Sequence, residues 1–484
     1  MFIGRQEELQ LLEERYTAPG GQLVVLYGRR RIGKTETLRQ FCAGKPHVFY
    51  SCREILDEAQ LADFSNRLLS EGSPAAKYIT AFSDWESAFE GLLELPTGDA
   101  KKLLVIDEFP YMCKGNASIP SILQVLWDEK LKDQNVMIIL CGSAMSFMEK
   151  EILAEKNPLY GRATGVYKMK ELPFHDAVQF FPSYSDEDKM LAYAVLGGIP
   201  HYLRQFDPTL PFRENVIKNV LRRGCVLYSE VEFLLRQELR EPAMYNTIVE
   251  AVALGNTKLN DIYMKTGVDK AKISVYLKNL VDLEILEREF PATASTKERA
   301  TSTRGLYRIT DNFFRFWFHF VFPHLSDLEA GDAEGVFDHV VSGEFNRFSA
   351  PVFEIVCREF IRKLSHRNQL GFRAAKLGRW WGKLASVETE IDIVAIDAES
   401  KHYILGECKF QNTQMDIADL KKLSSKTGLV KQGATIRYAL FSKSGFSDEL
   451  IAVANKDKAL RLFPLSEIFT MKPLVQGRPV SSDV

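Results

Sequence analysis

An α/β fold built of several modules is what the sequence predicts, and three observations predict it. Apolar runs that end at small, polar or acidic residues alternate with helical stretches as far as about residue 205. A glycine-flanked loop, Tyr27 to Thr35, follows the first of these runs. Near the C-terminus, a helical stretch precedes strands that carry three acids and a lysine in a telling order.

The chain has 484 residues, too many for one ordinary core, so two to four domains are expected. Its net charge of −2 excludes a generally basic nucleic-acid binder, and any DNA contact must be a local patch. Cys42, Cys52, Cys113, Cys141, Cys225, Cys357 and Cys408 are scattered with no C-x-x-C pair, which argues against a zinc ribbon and suits a reducing cytosol. The opening "MFIGRQEELQLLEERY" is charged from the start and lacks signal-peptide shape. The greasiest run, "FFRFWFHFVFPHL" (Phe313 to Leu325), is too short to span a bilayer and reads as buried core. A cytoplasmic protein without membrane contact is expected.

The runs "QLVVLYG", "HVFYSC", "KLLVIDE" and "NVMIILCGS" predict a mostly parallel sheet covered on both faces. This gives a core over residues 1–170. Helical periodicity from "FHDAVQFF" onward predicts a lid bundle over 171–241. Short helices with tight turns and then the polar "FPATASTKERATSTRGLYRI" outline a winged helix over 242–310. An aromatic bridge is expected over 311–341 and an α/β module over 342–470, before a polar tail over 471–484. In that module one long helix leads to strands at "FRAAKL", "IDIVAI" and "YILGECKF", then a helix, the strand "IRYALFS" and a last helix.

The loop reads Gly28-Arg29-Arg30-Arg31-Ile32-Gly33-Lys34-Thr35, and Glu36 opens the helix that follows. Glycines at these spacings let backbone N–H groups turn inward around phosphates, and the helix N-terminus adds partial positive charge. Lys34 is expected on the β and γ phosphates and the Thr35 hydroxyl on Mg²⁺. ATP with Mg²⁺ is the expected ligand. "KLLVIDEF" adds Asp107, placed to hold Mg²⁺ through water, and Glu108, placed to polarise an attacking water. "IILCGSAM" ends at Ser143, either a γ-phosphate or water contact or a plain strand-end turn. Arg162 in "NPLYGRATG" is either an arginine finger or a solvated loop cation.

"FIGRQEEL", "GRRRIGKT", "LLVIDEF", "LCGS", "PLYGR" and "LGGIPHYL" come in an order that resembles the archaeal-type ATPases, on the signal-transduction side of the AAA+/STAND group. The resemblance spans essentially the whole chain. It implies a P-loop NTPase core, with Phe2 and Arg5 against the adenine and Pro200 closing over the other side of the base. Read from its neighbours alone, Pro200 simply breaks a helix.

In the winged helix, "DKAKISVYLKNLVDLEIL" is the candidate recognition helix, carrying Lys270, Lys272 and Lys278. The wing offers Lys297, Arg299, Arg304 and Arg308. Cations among short hydroxyls suit phosphate contacts, but Asp282, Glu284, Glu287, Glu289 and Glu298 sit nearby. DNA binding and a protein-contact role both remain open.

Glu354 lies on the last module's long helix, Asp392 at the start of "EIDIVAI", and Glu407 and Lys409 in "GECKF". Residues two apart in a strand face the same side, so Glu407 and Lys409 point together. If the two strands pair as a hairpin, Asp392 faces them. Asp392 and Glu407 are the expected ligands of Mg²⁺ or Mn²⁺, and Lys409 would act on the water and the developing phosphate charge. This order resembles the PD-(D/E)XK core of the restriction-endonuclease-like fold, departing from it in having Ile391 rather than proline before Asp392. The resulting expectation is an ATP-hydrolysing protein acting on DNA with a candidate metal-dependent nuclease domain. The alternatives are a STAND-type switch, self-assembling or partner-bound, whose last domain binds without cutting, and a nucleotide-gated transcription regulator.

Overall fold

The computed structural model describes residues 2–301 and 305–470, which fall into two compact units. The first runs to Leu172 and adds Ile199–His201, and the second holds the other described residues.

Five parallel strands organise the first unit: β1 (Gln22–Tyr27), β2 (His47–Ser51), β3 (Lys102–Asp107), β4 (Val136–Gly142) and β5 (Gly165–Lys168). Their order is β2-β3-β4-β1-β5, so β4 lies between β1 and β3 and pairs with both. Every residue of β1 and β4 is buried, as continuous apolar runs covered on both faces must be. One covering layer is aromatic: Phe64 meets Tyr50, Trp85 and Phe89 with ring centroids 5.2–5.5 Å apart. Strand β5 was not among the strands expected. It is short and only partly buried, so its sequence carries no apolar run.

The second unit begins with helices between Phe174 and Glu238. Three more follow, Pro242–Ala253, Leu259–Thr266 and Lys270–Asp282, and then β6 (Leu286–Glu289) pairs antiparallel with β7 (Leu306–Ile309). Asp269 caps the third helix, its carboxylate accepting from the Ala271 and Lys272 amides, which satisfies donors the helix start would otherwise orphan. The link between β6 and β7 is wider than a simple hairpin and contains the helix Thr296–Thr301. Arg304 lies outside the described residues, as does the expected tail.

The aromatic segment is buried core: Phe313, Phe314, Phe316, Trp317, Phe318 and Phe320 are each no more than 1% exposed. Among the described residues no helix is long and apolar enough to cross a membrane. A 25-residue helix, Ser342–His366, then packs on a second five-stranded sheet. Its strands are β8 (Lys376–Leu384), β9 (Val387–Ile396), β10 (His402–Lys409), β11 (Thr435–Ser442) and β12 (Leu460–Pro464), in the order β12-β11-β10-β9-β8. The pairs β8–β9 and β9–β10 are antiparallel, and β10–β11 and β11–β12 are parallel.

The first strand of this sheet differs from expectation. "FRAAKL" is an extended lead-in until Lys376, because Phe372 stacks on His402 and the Ala374 amide donates to Ser365 Oγ at 2.8 Å. The strand proper is "KLGRWWGKL", whose glycines hide it from a propensity reading. Asp392 lies within β9 rather than at its start, and β12 follows the last expected helix.

Trp317 has no exposed surface, and its indole N–H donates to the Tyr228 carbonyl at 2.8 Å. Trp317→Ala should destabilise the second unit by about 3–5 kcal/mol, measured as a fall in its denaturant midpoint.

Candidate functional site

Strand β1 delivers the loop. A Cβ at Gly28 would stand 2.5 Å from the Met169 carbonyl oxygen, and Gly33 has φ +91°, so both positions require glycine. Between them Arg29 and Arg30 are half-buried, Arg31 is exposed and Ile32 is buried. Gly33 precedes the helix Lys34–Cys42, with exposed Glu36 in its first turn. Lys34 Nζ donates to the carbonyls of Gly28 at 2.9 Å and Arg29 at 2.8 Å, which winds the loop around the ammonium. Burial lowers the Lys34 pKa, against the pull of Cys141, Glu108 and Asp107.

Arg5 braces this loop from within. It is buried, and its guanidinium donates to the Ile32 carbonyl at 2.6 Å, the Lys170 carbonyl at 2.7 Å and Glu8 at 2.8 Å. Phe2 is half-buried. Pro200 Cγ lies 3.8 Å from where a Gly33 Cβ would be, and His201 contacts Arg31. Residues 199–201, within the first unit, therefore reach the loop, a contact by His201 that sequence spacing did not signal.

The acids arrive from β3. Thr35 Oγ1 donates to Asp107 Oδ2 at 2.8 Å, and the Glu108 amide donates to Asp107 Oδ1 at 3.1 Å. Glu108 adopts φ 53°, ψ 43°, a left-handed conformation that a non-glycine residue holds at a cost and that clusters at functional sites. Ser143, at the end of β4, donates to Glu108 Oε2 from its hydroxyl at 2.8 Å and its amide at 3.3 Å. Lys34, Thr35, Asp107, Glu108 and Ser143 thus converge at the C-terminal ends of β1, β3 and β4, the edge where open α/β sheets bind ligands. Arg162 is engaged elsewhere: its guanidinium holds Asp128 from Nε at 2.9 Å and Nη2 at 2.6 Å.

This geometry agrees with the comparisons. Residues 2–206 match the model of an ATPase domain found predominantly in Archaea, and residues 317–422 match a domain of archaeal and bacterial proteins of unknown function. An uncharacterised protein of Methanocaldococcus jannaschii is 36% identical over 424 residues, covering 87% of this chain and 90% of its own. The chain belongs to the archaeal-type ATPase family. An uncharacterised ATP-binding protein of the same organism is 44% identical over 45 residues, which are 9% of this chain and 76% of its own. Among solved structures, the Walker-type ATPase of Pyrococcus abyssi aligns with a TM-score of 0.48 at 22% identity, over 66% of this chain and 96% of its own. With the ATPase family model matched over residues 2–206 and the loop wound around Lys34, the protein is a P-loop ATPase.

The ATPase carries a second cluster on its C-terminal sheet. The register of β9 and β10 ends with Ile393 on Gly406, and Asp392 and Glu407 follow just past that last pair. Asp392 Oδ2 accepts the Cys408 amide at 2.8 Å. Glu407 lies between two lysines, Lys409 Nζ at 3.3 Å and Lys426 Nζ at 3.1 Å. Glu354 reaches the cluster from the long helix and faces Arg358 at 3.6 Å and Arg379 at 3.8 Å. Burial, then the charge of Asp392, pushes the Glu354 carboxyl up to about 7, against the pull of Arg379 and Arg358. Asp392 is raised too, by burial and then by Glu407.

Among the described residues no group of three His, Cys, Asp or Glu side chains is gathered as a metal cage. Two facing carboxylates still match what Mg²⁺ asks of a protein, since it keeps several waters and takes one or two carboxylates. Sequence reading missed Arg358, Arg379 and Lys426, because nothing in their spacing ties them to the acids. In the strand pair, Arg308 is already joined to Glu287, which removes it from the list of wing cations facing solvent.

Lys34→Ala should abolish nucleotide binding. Glu108→Gln should keep binding and lower turnover at least about 100-fold, and Ser143→Ala should cost about tenfold by releasing the Glu108 carboxylate; nucleotide titration and phosphate release measure both. The raised Glu354 makes a pH prediction. Its folded value lies above the ordinary 4.5, so the folded chain keeps a proton the unfolded chain gives up. The stability this contributes is lost as pH rises from about 4.5 to about 7, and denaturant midpoints for Glu354→Gln should lack that slope.

Proposed function

We propose that this ATPase acts on DNA, and that its C-terminal sheet carries a metal-dependent phosphodiesterase site. In the first unit, Gly28–Glu36 would enclose the phosphates, with Lys34 on the β and γ groups. Thr35 and Asp107 would hold Mg²⁺, while Glu108, aimed by Ser143, polarises the attacking water. Phe2 and Pro200 would flank the base, and Arg5 supports the loop rather than touching nucleotide. Arg162 acts as a finger only after leaving Asp128, which a second copy of the chain would have to bring about.

The observation that carries the DNA reading is Asp392 bonded to the Cys408 amide, and so beside Glu407 at the end of the β9–β10 pair, with Lys409 next to them. Asp392 and Glu407 would hold Mg²⁺ or Mn²⁺, which supplies charge for a departing phosphate oxygen. Lys409 would orient the water, and Glu354 would act through a bridging water. Three helices followed by the β6–β7 pair support a winged helix. Lys270, Lys272 and Lys278 are exposed on its third helix, and Lys297 and Arg299 are exposed in the wing, where they would meet a phosphate backbone. A second reading, a nucleotide-controlled switch whose last module binds without cutting, is favoured by Lys426 and Arg379, which already neutralise the acids.

The test incubates the full chain with labelled single-stranded, duplex and branched DNA and Mn²⁺, with and without ATP. Asp392→Ala and Glu407→Ala should lose metal and cutting, whereas Lys409→Ala should keep the metal and slow cutting at least about 100-fold. Arg299→Ala should reduce the salt dependence of binding by roughly one unit of log–log slope. Binding without cutting by the unaltered chain selects the switch reading, and neither binding nor cutting rules out DNA as the target.

A further inference from the structure

The base of the wing is built into the C-terminal sheet at one residue. Strand β8 pairs with β9 in register except for an irregularity between Gly378 and Trp380, where Arg379 stands opposite two residues, Asp392 and Ile393, so that β9 bulges there. Bulges re-aim a side chain and are common beside active sites. The Arg379 carbonyl accepts the Ala292 amide at 2.7 Å, and Trp380 Nε1 donates to Thr293 Oγ1 at 3.1 Å. Ala292 is buried in the core of the C-terminal sheet, although it follows β6 in the wing. The segment just after β6 thus fixes the β8 backbone opposite the bulge.

The Arg379 side chain is shared in the same way. One end reaches Glu289, the last residue of β6, at 3.5 Å, and also Glu390 of β9. Its Nε faces Glu354 at 3.8 Å, too far for a hydrogen bond, and is buried without a hydrogen-bond partner. A planar fork can serve several carboxylates at once in a way a lysine cannot. A shift of under 1 Å toward Glu354 would satisfy Nε, and one toward Glu289 would take it further away.

We propose that Arg379 is a positioning residue for the Glu354–Asp392–Glu407 site, and that Glu289 at the base of the wing sets how strongly it engages Glu354. The proposal rests on reading these acids as a metal-dependent site. Arg379 then competes with the cation for Glu354, and whatever draws the wing away from the sheet changes the cation's hold. A load on Lys297 and Arg299 would be transmitted through residues 289–293 to the carboxylates.

Mn²⁺ binding to the full chain, without nucleotide and carrying Thr35→Ala to silence the first site, tests this by calorimetry. Arg379→Gln removes a competing positive charge and should tighten Mn²⁺ about fivefold, whereas Glu289→Gln releases Arg379 toward Glu354 and should weaken it about threefold. Combined with Arg379→Gln, Glu289→Gln should change affinity by less than about 1.5-fold, because its effect travels through the guanidinium. Arg379→Lys keeps the charge, so affinity should stay near that of the unaltered residue, but the Glu289 effect should vanish with the fork. Equal Glu289→Gln effects with and without Arg379 would overturn the coupling while leaving the metal site standing. No Mn²⁺ binding by any of these chains overturns the site itself, and the proposal with it.

Discussion

Chemistry in the first unit depends on β4 lying between β1 and β3. Neighbouring strands in a sheet sit just under 5 Å apart, so one inserted strand sets the loop after β1 and the acids after β3 about 10 Å apart. That gap is spanned by side chains from both sides. Thr35, on the helix after the loop, reaches Asp107 at 2.8 Å, and Ser143, at the end of the intervening strand, reaches Glu108 at 2.8 Å. Without β4 there would be no hydroxyl to aim Glu108, whose left-handed backbone already departs from the easy conformation. Strain at that residue is offset by two hydrogen bonds to one carboxylate oxygen.

Much of this was legible because it is local. The loop glycines, Lys34, Thr35, Asp107 and Glu108 lie in short stretches whose spacing reports a strand end followed by a turn. The buried character of Phe313–Phe320 was legible for the same reason, since so dense an aromatic run has nowhere else to go. Arg5 was placed against the base by resemblance, whereas its guanidinium serves the Ile32 and Lys170 carbonyls. Long-range bonding of that kind leaves no periodic trace. Strand β8 was displaced because glycines at 378 and 382 dilute the β signal, while the tryptophans between them earn their place through contacts made far along the chain.

The C-terminal cluster was half legible. Its acids and Lys409 follow strand periodicity, and pairing of β9 with β10 brings Asp392 onto the Cys408 amide, next to Glu407. Its cations follow none. Lys426 comes from beyond the next helix, and Arg379 lies opposite a bulge in β9 that only the three-dimensional register reveals.

Those cations bear on why the cluster exists. Burying several charges together is costly even when they pair well, and replacing such a network with apolar residues is often neutral or stabilising. Glu354 fits that cost, since burial and then the charge of Asp392 push its carboxyl up to about 7. A sheet that needed only stability could fill the same space with residues like Val394 and Leu405, which are fully buried nearby. On the reading proposed above, the three acids, two arginines and two lysines there answer a charged partner rather than the fold. The two lysines on Glu407 and the arginine shared with Glu289 would then hold the acids ready in the partner's absence, and they are the contacts that such a partner would have to displace.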